Sequence, residues 1–134
     1  MFFWMSVKFA VETRDDRRGM FLQADPLHDR RRRISHREMS LTMCRHIHAA
    51  PYVAWIVVPV ARFSYSSEMP RKLESSADGT RYFCAACGTH VACVNASHPE
   101  IIDVAVGSLD RPEAFTPTME VFTDTRLGWV PAIR

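Results

Sequence analysis

The chain has 134 residues and a formal net charge of +2 at pH 7, with 47% hydrophobic and 24% charged residues. This length and composition predict one globular domain with a single core, and exclude a chain that is disordered or of low complexity throughout. The net charge is too small to make the whole molecule a nucleic-acid-binding protein, so such a role would need a local basic cluster.

The N-terminal third lacks the pattern of a packed domain. Residues 7–12 alternate in the manner of a half-buried strand, whereas residues 13–40 carry basic runs and few large apolar side chains. This change predicts a loop or mobile segment. Four arginines at residues 30–33, with His28, His36 and Arg37, form the one candidate nucleic-acid arm, but Asp25 and Asp29 dilute the charge and no aromatic platform accompanies it. A solvated charge run is therefore favoured over nucleic acid as a partner.

From residue 50 onward, short runs rich in Val, Ile, Tyr and Phe alternate with Pro, Gly, Ser and Asp. Such runs predict strands separated by turns. The predicted strands cover residues 52–58, 62–66, 81–83, 89–94, 101–106 and 119–122. Six or seven short strands without a long helix predict a mainly β, antiparallel fold.

We find no export signal and no membrane span in the sequence. The apolar start at residues 1–7 ends at Lys8, and the longest later apolar run, residues 51–61, contains two prolines. We therefore expect a soluble, cytoplasmic protein with no membrane partner. In that compartment the four cysteines are expected to be thiols or metal ligands rather than disulfides.

The stretch FCAACG places Cys84 and Cys87 two residues apart and directly ahead of Gly88. A turn of this kind points backbone N–H groups at two thiolates and forms half of a tetrahedral zinc site. No second C-x-x-C supplies the other half. A metal knuckle and a hairpin with two small buried cysteines are therefore equal alternatives.

A second candidate metal site lies at Cys44, which is followed by His46 and His48. Residues 44 and 48 share a face whether the segment is helical or extended, so Cys44 and His48 can converge on a metal. The alternative is a pair of exposed histidines in a polar loop.

Cys93, the fourth cysteine, is predicted to be a core thiol. If residues 89–94 are extended, Cys93 lies about 20 Å from Cys87, too far for both to bind one zinc. Along this strand Cys93 is expected to share one face with Thr89 and Val91.

A series of short matches along residues 44–129 falls in the order typical of one protein family. The matching residues are Cys44-Arg45, Ala50 to Trp55, Ser75-Ser76, Arg81 to Thr89, Ile102 to Val104, Gly107 to Asp110, Phe115 to Pro117, and Trp129. In these residues the chain resembles the glutathione-dependent formaldehyde-activating enzymes, which share a domain with centromere protein V. The resemblance implies an Mss4-like antiparallel β-sheet fold with a zinc-knuckle hairpin over residues 44–134. It leaves residues 1–43 as an atypical, partly mobile N-terminal segment.

The resemblance also implies two zinc sites, one structural and one catalytic. Cys84 and Cys87 match the second half of the structural site, and Cys44 matches the last cysteine of a catalytic C-x-C-x-x-C motif. Met39 and Leu41 stand where the other two catalytic cysteines are expected, and no early C-x-C-G precedes them. A thioether is a poor zinc ligand and leucine is none.

The expected metal ligands are therefore Cys84, Cys87, Cys44 and His48, with zinc as cofactor and Cys44 as the catalytic residue. His46 or His36 could complete a rebuilt site. Two origins explain the missing cysteines: a degraded relative, or a shifted reading frame upstream of about Met43.

Two functions follow from the resemblance. The first is a zinc-dependent carbon–sulfur lyase, similar to an S-hydroxymethylglutathione synthase, that acts on glutathione or another small thiol adduct with an impaired site. The second is a non-catalytic member that keeps the fold as a binding or remnant domain.

Overall fold

The computed structural model of the chain describes residues 35–63, 65, 69–109 and 111–133. Its strands are β1 (Ser35–Met39), β2 (Val53–Pro59), β3 (Arg71–Glu74), β4 (Gly79–Phe83), β5 (His90–Asn95), β6 (Ile101–Ala105) and β7 (Met119–Val121). One α-helix in this part of the chain, α1 (Thr42–His48), connects β1 to β2, and short 3₁₀ turns stand in several of the later connections.

All seven strands belong to one sheet, in the order β3-β4-β5-β6-β2-β1-β7. Every neighbouring pair is antiparallel except β1 and β7, which run parallel. The backbone N–H of Thr118 donates to His36 O at 3.1 Å, and that of Ser40 donates to Val121 O at 3.2 Å, so both ends of the parallel pair are tied. The prediction of a mainly β, Mss4-like antiparallel fold is confirmed.

The interior strand β2, which lies between β6 and β1, is apolar along its whole length, as expected of a strand covered on both faces. Trp55 lies opposite Ala105, and Ile56 lies opposite Val104, so consecutive residues of β2 enter two separate clusters. One cluster contains Met39, Cys44, Val53, Trp55 and Ala105 and is covered by α1. The other contains Ile56, Val58, Val91, Ala92, Ile102, Val104 and Val106 on the opposite face.

A change of register between β4 and β5 decides which way two side chains of β5 point. The pairing shifts between Tyr82 and Phe83, where Phe83 pairs with His90 and Val91 becomes an extra residue. Val91 then packs into the cluster opposite α1, whereas Cys93 packs against the cluster that contains Cys44. The expectation that Val91 and Cys93 share one face is therefore wrong.

Three predicted segments differ from the structure. Residues 35–39, expected to lie in a loop, form β1. Of the predicted strand at residues 62–66, Arg62 ends a 3₁₀ turn at Val60–Arg62, residues 63 and 65 are not in a strand, and residues 64 and 66 lie outside the described residues. The edge strand β3 was not expected, because its four side chains are all exposed. The predicted strand at residues 7–12 and the arginines at 30–33 lie outside the described residues. The proposed division after residue 43 stays a prediction, and β1 lies on its N-terminal side.

None of the helices in the described part of the chain has the length and hydropathy needed to span a bilayer.

Candidate functional site

The helix α1 positions two predicted site residues, Cys44 and His48, one turn apart against the sheet. It begins where the backbone N–H of Arg45 donates to Leu41 O at 3.0 Å. It ends at Ala49, whose left-handed φ of 48° stops the helix. Residues 44 and 48 therefore share a helical face, and the convergence of Cys44 and His48 on a metal stays a prediction.

The sulfur of Cys44 contacts a thioether and a guanidinium rather than other thiols. The Cys44 thiol donates to Met39 Sδ at 3.3 Å, and Arg81 Nη2 donates to Cys44 Sγ at 3.4 Å. Cys44 is 2% exposed and Arg81 is 4% exposed, so this is a buried cation beside a buried sulfur. We call Met39, Cys44 and Arg81 the Cys44 site.

The guanidinium of Arg81 is held in place by the β3–β4 turn. Arg81 Nε donates to Ser75 Oγ at 3.1 Å, and Ser75 Oγ donates to Gly79 O at 3.2 Å. Asp103 on β6 pairs with Arg37 at 3.3 Å rather than with Arg81. Burial raises the pKa of Asp103, although Arg37 and then Arg81 oppose this shift. Arg81 therefore has no carboxylate at bonding distance within the described residues, and its Nη1 has no partner.

The donor set at the Cys44 site does not fit zinc. Positions 39, 41 and 44 do come together, because Met39 and Leu41 pack with Cys44 in one cluster. They supply a thioether, an alkyl group and a single thiol, and Arg81 adds a positive charge at the sulfur. The site of the implied catalytic metal is thus filled by packing and by a guanidinium.

The histidines expected to rebuild the site are dispersed. His36 lies near Phe115, with its Nδ1 3.2 Å from Thr116 O, and His46 is exposed on α1. His48 packs edge-on against Trp55, with ring centroids 5.3 Å apart.

His48 has a second aromatic neighbour, His90 at the start of β5, with ring centroids 5.1 Å apart. Burial, then the charges of His90 and Arg81, lowers the pKa of His48 to about 4. Burial, then Arg81, also lowers the pKa of His90. Both imidazoles are therefore neutral near pH 7, and His48 Nε2 and His90 Nδ1 are buried without a hydrogen-bond partner.

These two imidazoles line a cavity of about 470 Å³ between the end of α1 and the sheet. Its wall consists of Ile47, His48, Ala49, Ala50, Tyr52, Val53, Ala54, Gly88, Thr89, His90, Ala105, Gly107 and Ser108. Cys44 is not part of this wall. The predicted catalytic residue is therefore separated from the space where a ligand would bind.

The turn at residues 84–88, which we call the knuckle, has the expected backbone geometry. The N–H of Cys84 donates to Thr89 O at 2.8 Å, and the N–H of Gly88 donates to Cys84 O at 2.8 Å. Gly88 has a φ of +75°, which explains the glycine at this position. Cys87 is exposed, and its Sγ lies 3.1 Å from Thr89 Oγ1.

The knuckle thiols have different environments. Cys84 is half-buried, whereas Cys87 is exposed. The pKa of Cys87 is lowered, mainly by the hydrogen bond with the Thr89 side chain. At Cys93 the shift is opposite, because burial raises the pKa of that thiol, with Arg81 acting against it.

The knuckle alone does not complete a zinc site either. Across residues 35–63, 65, 69–109 and 111–133, no three His, Cys, Asp or Glu side chains are grouped so that they could hold a metal ion. Cys84 and Cys87 thus remain two of the four ligands that structural zinc requires. The assignment of Cys84, Cys87, Cys44 and His48 as metal ligands stays a prediction.

Sequence reasoning did not identify Arg81 and His90 as site residues. Arg81 is 37 positions from Cys44, and its contact depends on the pairing of β4 in the sheet. His90 faces the cavity because of the register shift in β5. Neither relation leaves a local spacing signal in the sequence.

Two comparisons with known proteins complete the description of the site. Residues 34–125 match the family described as glutathione-dependent formaldehyde-activating enzyme. This match covers well over half of the chain, and it includes β1 and both cysteine-containing regions. Among curated proteins, none matches the chain.

Proposed function

Because the chain belongs to the family of glutathione-dependent formaldehyde-activating enzymes, we propose that it binds a small thiol or glutathione adduct beside α1 and that its zinc-dependent carbon–sulfur lyase step is impaired. The observation that carries this proposal is the position of Cys44. Cys44 is 2% exposed, its sulfur is hydrogen-bonded to Met39 and Arg81, and it does not line the cavity.

The cavity supports the binding part of the proposal. Its volume lies in the range of small-molecule sites, and its wall combines apolar side chains with Tyr52, Thr89 and Ser108. Two glycines, Gly88 and Gly107, leave backbone accessible at the wall. We place this role in the cytoplasm, where glutathione keeps thiols reduced.

The paired imidazoles favour a second candidate function, a metal-independent catalyst of adduct formation. In this scheme His48 Nε2 takes the proton of the thiol while the sulfur attacks the carbonyl carbon of formaldehyde. The C=O π bond breaks, and the oxygen that gains its electron pair takes the proton back from His48. A base with a pKa of about 4 is poorly matched to a thiol of pKa about 8.5, a difference that costs about 6 kcal/mol in proton transfer. Binding without efficient chemistry is therefore the better supported function.

Binding is tested by titrating the purified chain with reduced glutathione, with and without formaldehyde, in a calorimeter. A Cβ built at Gly107 meets nothing within 4 Å, so Gly107→Leu adds a large side chain at the cavity wall without a backbone clash. We expect at least a tenfold loss of affinity in this variant. Gly128→Leu is the matched control, since Gly128 is equally open but does not line the cavity. Equal affinities in both variants would place the binding site elsewhere.

Impairment is tested by restoring the two missing cysteines. We expect the double variant Met39→Cys, Leu41→Cys to bind zinc through three thiolates, whereas the original chain shows no zinc-dependent increase over the spontaneous formation of S-hydroxymethylglutathione. Metal content is measured by elemental mass spectrometry and turnover by NMR. Zinc-dependent turnover in the original chain that disappears in Cys44→Ser would disprove impairment.

A further inference from the structure

The knuckle carries two thiols in a turn that backbone hydrogen bonds close. Cys87 is exposed and Cys84 is half-buried. The turn is closed by the backbone hydrogen bonds of Cys84 with Thr89 and of Gly88 with Cys84, both 2.8 Å. The backbone therefore holds the two cysteines three positions apart within one closed turn.

The chemistry available to this pair is limited by its surroundings. A structural zinc requires two further ligands, and the described residues offer no group of three that could hold a metal. The knuckle cysteines also lie outside the cavity wall, although the next residues, Gly88 and Thr89, are part of it. The pair is thus a dithiol that the proposed binding function does not use.

We infer that Cys84 and Cys87 form a reversible disulfide by exchange with a low-molecular-weight disulfide such as glutathione disulfide. The Cys87 sulfur, deprotonated by solvent, attacks one sulfur of glutathione disulfide. The S–S bond of that molecule breaks, one glutathione leaves, and a mixed disulfide forms on Cys87. The Cys84 sulfur, after losing its own proton, then attacks Cys87 and releases the second glutathione.

The reaction balances without any other oxidant. Two protein thiols are oxidised to one disulfide while one glutathione disulfide is reduced to two glutathione molecules. The two protons lost by Cys84 and Cys87 reappear on the released thiols.

The order of attack follows from exposure. Cys87 meets a solvent-borne disulfide first, because it is exposed and Cys84 is half-buried. Two residues between the cysteines are the spacing of dithiol redox motifs, in which an exposed sulfur attacks and a less exposed one resolves the mixed disulfide.

The other two cysteines of the chain provide internal controls. Cys44 is buried beneath α1 and Cys93 packs against the same cluster from β5. Cys44 is not expected to exchange while the protein is folded, since access to the sulfur is required. Cys93 is half-buried like Cys84 but packs against the Cys44 cluster, so we expect it to exchange more slowly than the exposed Cys87.

The full chain is equilibrated with glutathione buffers from fully reduced to fully oxidised, quenched with acid, and unfolded in an alkylating reagent. The number of alkylated cysteines is then read by intact mass. We expect it to fall from four to two as the buffer is oxidised. In tryptic digests, Cys84 and Cys87 share one peptide with Cys93, and fragmentation should place the bridge between Cys84 and Cys87, with Cys93 alkylated.

Two variants distinguish a specific disulfide between Cys84 and Cys87 from nonspecific oxidation. In Cys84→Ser the reaction should stop at a stable mixed disulfide between Cys87 and glutathione, whereas Cys93→Ser should still form the Cys84–Cys87 disulfide. Circular dichroism verifies that each variant is folded.

Two results would overturn the inference. Four alkylated cysteines at every glutathione ratio would show that no bridge forms. A full equivalent of zinc in the purified chain, lost in both Cys84→Ser and Cys87→Ser, would assign the pair to metal binding instead. The calorimetric glutathione titration stays interpretable in either case, because Cys84 and Cys87 do not line the cavity.

Discussion

The Cys44 site and the knuckle both carry cysteines where the family resemblance implies zinc, and their surroundings differ. The Cys44 site is buried and holds one thiol, with Met39 and Arg81 in contact with its sulfur. The knuckle holds two thiols in a closed turn, one of them exposed. The difference shows that side-chain packing shapes the first region, whereas backbone hydrogen bonds shape the second.

The largest effect is expected from removing the packing that covers the Cys44 site. Trp55 is 1% exposed and contacts His48, so Trp55→Ala should lower the free energy of unfolding by about 3–5 kcal/mol. Trp129→Ala is the control, because Trp129 is 72% exposed and its loss should cost under about 0.5 kcal/mol. Urea unfolding measures both. Similar small losses would mean that the α1 side is not a packed layer.

The next effect concerns the support of Arg81. Ser75→Ala removes the acceptor of Arg81 Nε and should destabilise the chain by about 1–3 kcal/mol, since a buried donor loses its partner. Its neighbour Ser76 is exposed, so Ser76→Ala should be close to neutral. If the two variants unfold at the same urea concentration, the guanidinium does not depend on this hydrogen bond.

The pH dependence of stability should report on His48. Its pKa of about 4 lies below the ordinary 6.5, so the unfolded chain binds the proton more tightly and stability is lost as pH falls through this window. The full shift corresponds to about 3 kcal/mol, and solvent screening at a partly exposed ring reduces this to about 1–2 kcal/mol. His48→Asn should flatten this part of the profile, whereas His98→Asn, at an exposed site, should not.

The smallest effect is expected in the knuckle. Cys87→Ser should change the free energy of unfolding by less than about 0.5 kcal/mol, because Cys87 is exposed and the turn is closed by backbone atoms. Unfolding is measured in reducing buffer with and without a chelator. A loss of several kcal/mol in both the variant and the chelated protein would indicate a structural metal and erase the contrast between the two regions.

Much of the fold could be predicted because β2, β4, β5 and β6 are rich in β-branched and aromatic residues. The prediction failed where polar strands are held by their neighbours. The sequence SHREM has no apolar alternation, yet it pairs with β2 on one side and β7 on the other as β1. The edge strand RKLE is exposed throughout and forms only by pairing with β4.

The site was less predictable than the fold. The spacing of Cys44 and His48, and the turn at Cys84 and Cys87, are local features that can be read from the sequence. The contact of Arg81 with Cys44 and the meeting of His48 with His90 depend on sheet register. The extra residue in β5 turns His90 toward His48, and no local sequence pattern indicates this extra residue.

The parallel pairing of β1 with β7 affects when the sheet can form during translation. It joins segments about 80 positions apart, as in the bond between His36 and Thr116. Met39 and Cys44 are synthesised before Arg81, and the strand that covers the β1 edge follows both. Because such distant pairing is slow and leaves strand edges open meanwhile, the sheet closes only after β7 has been synthesised. The Cys44 sulfur, inaccessible in the finished protein, is therefore open to cellular thiols and metals during translation.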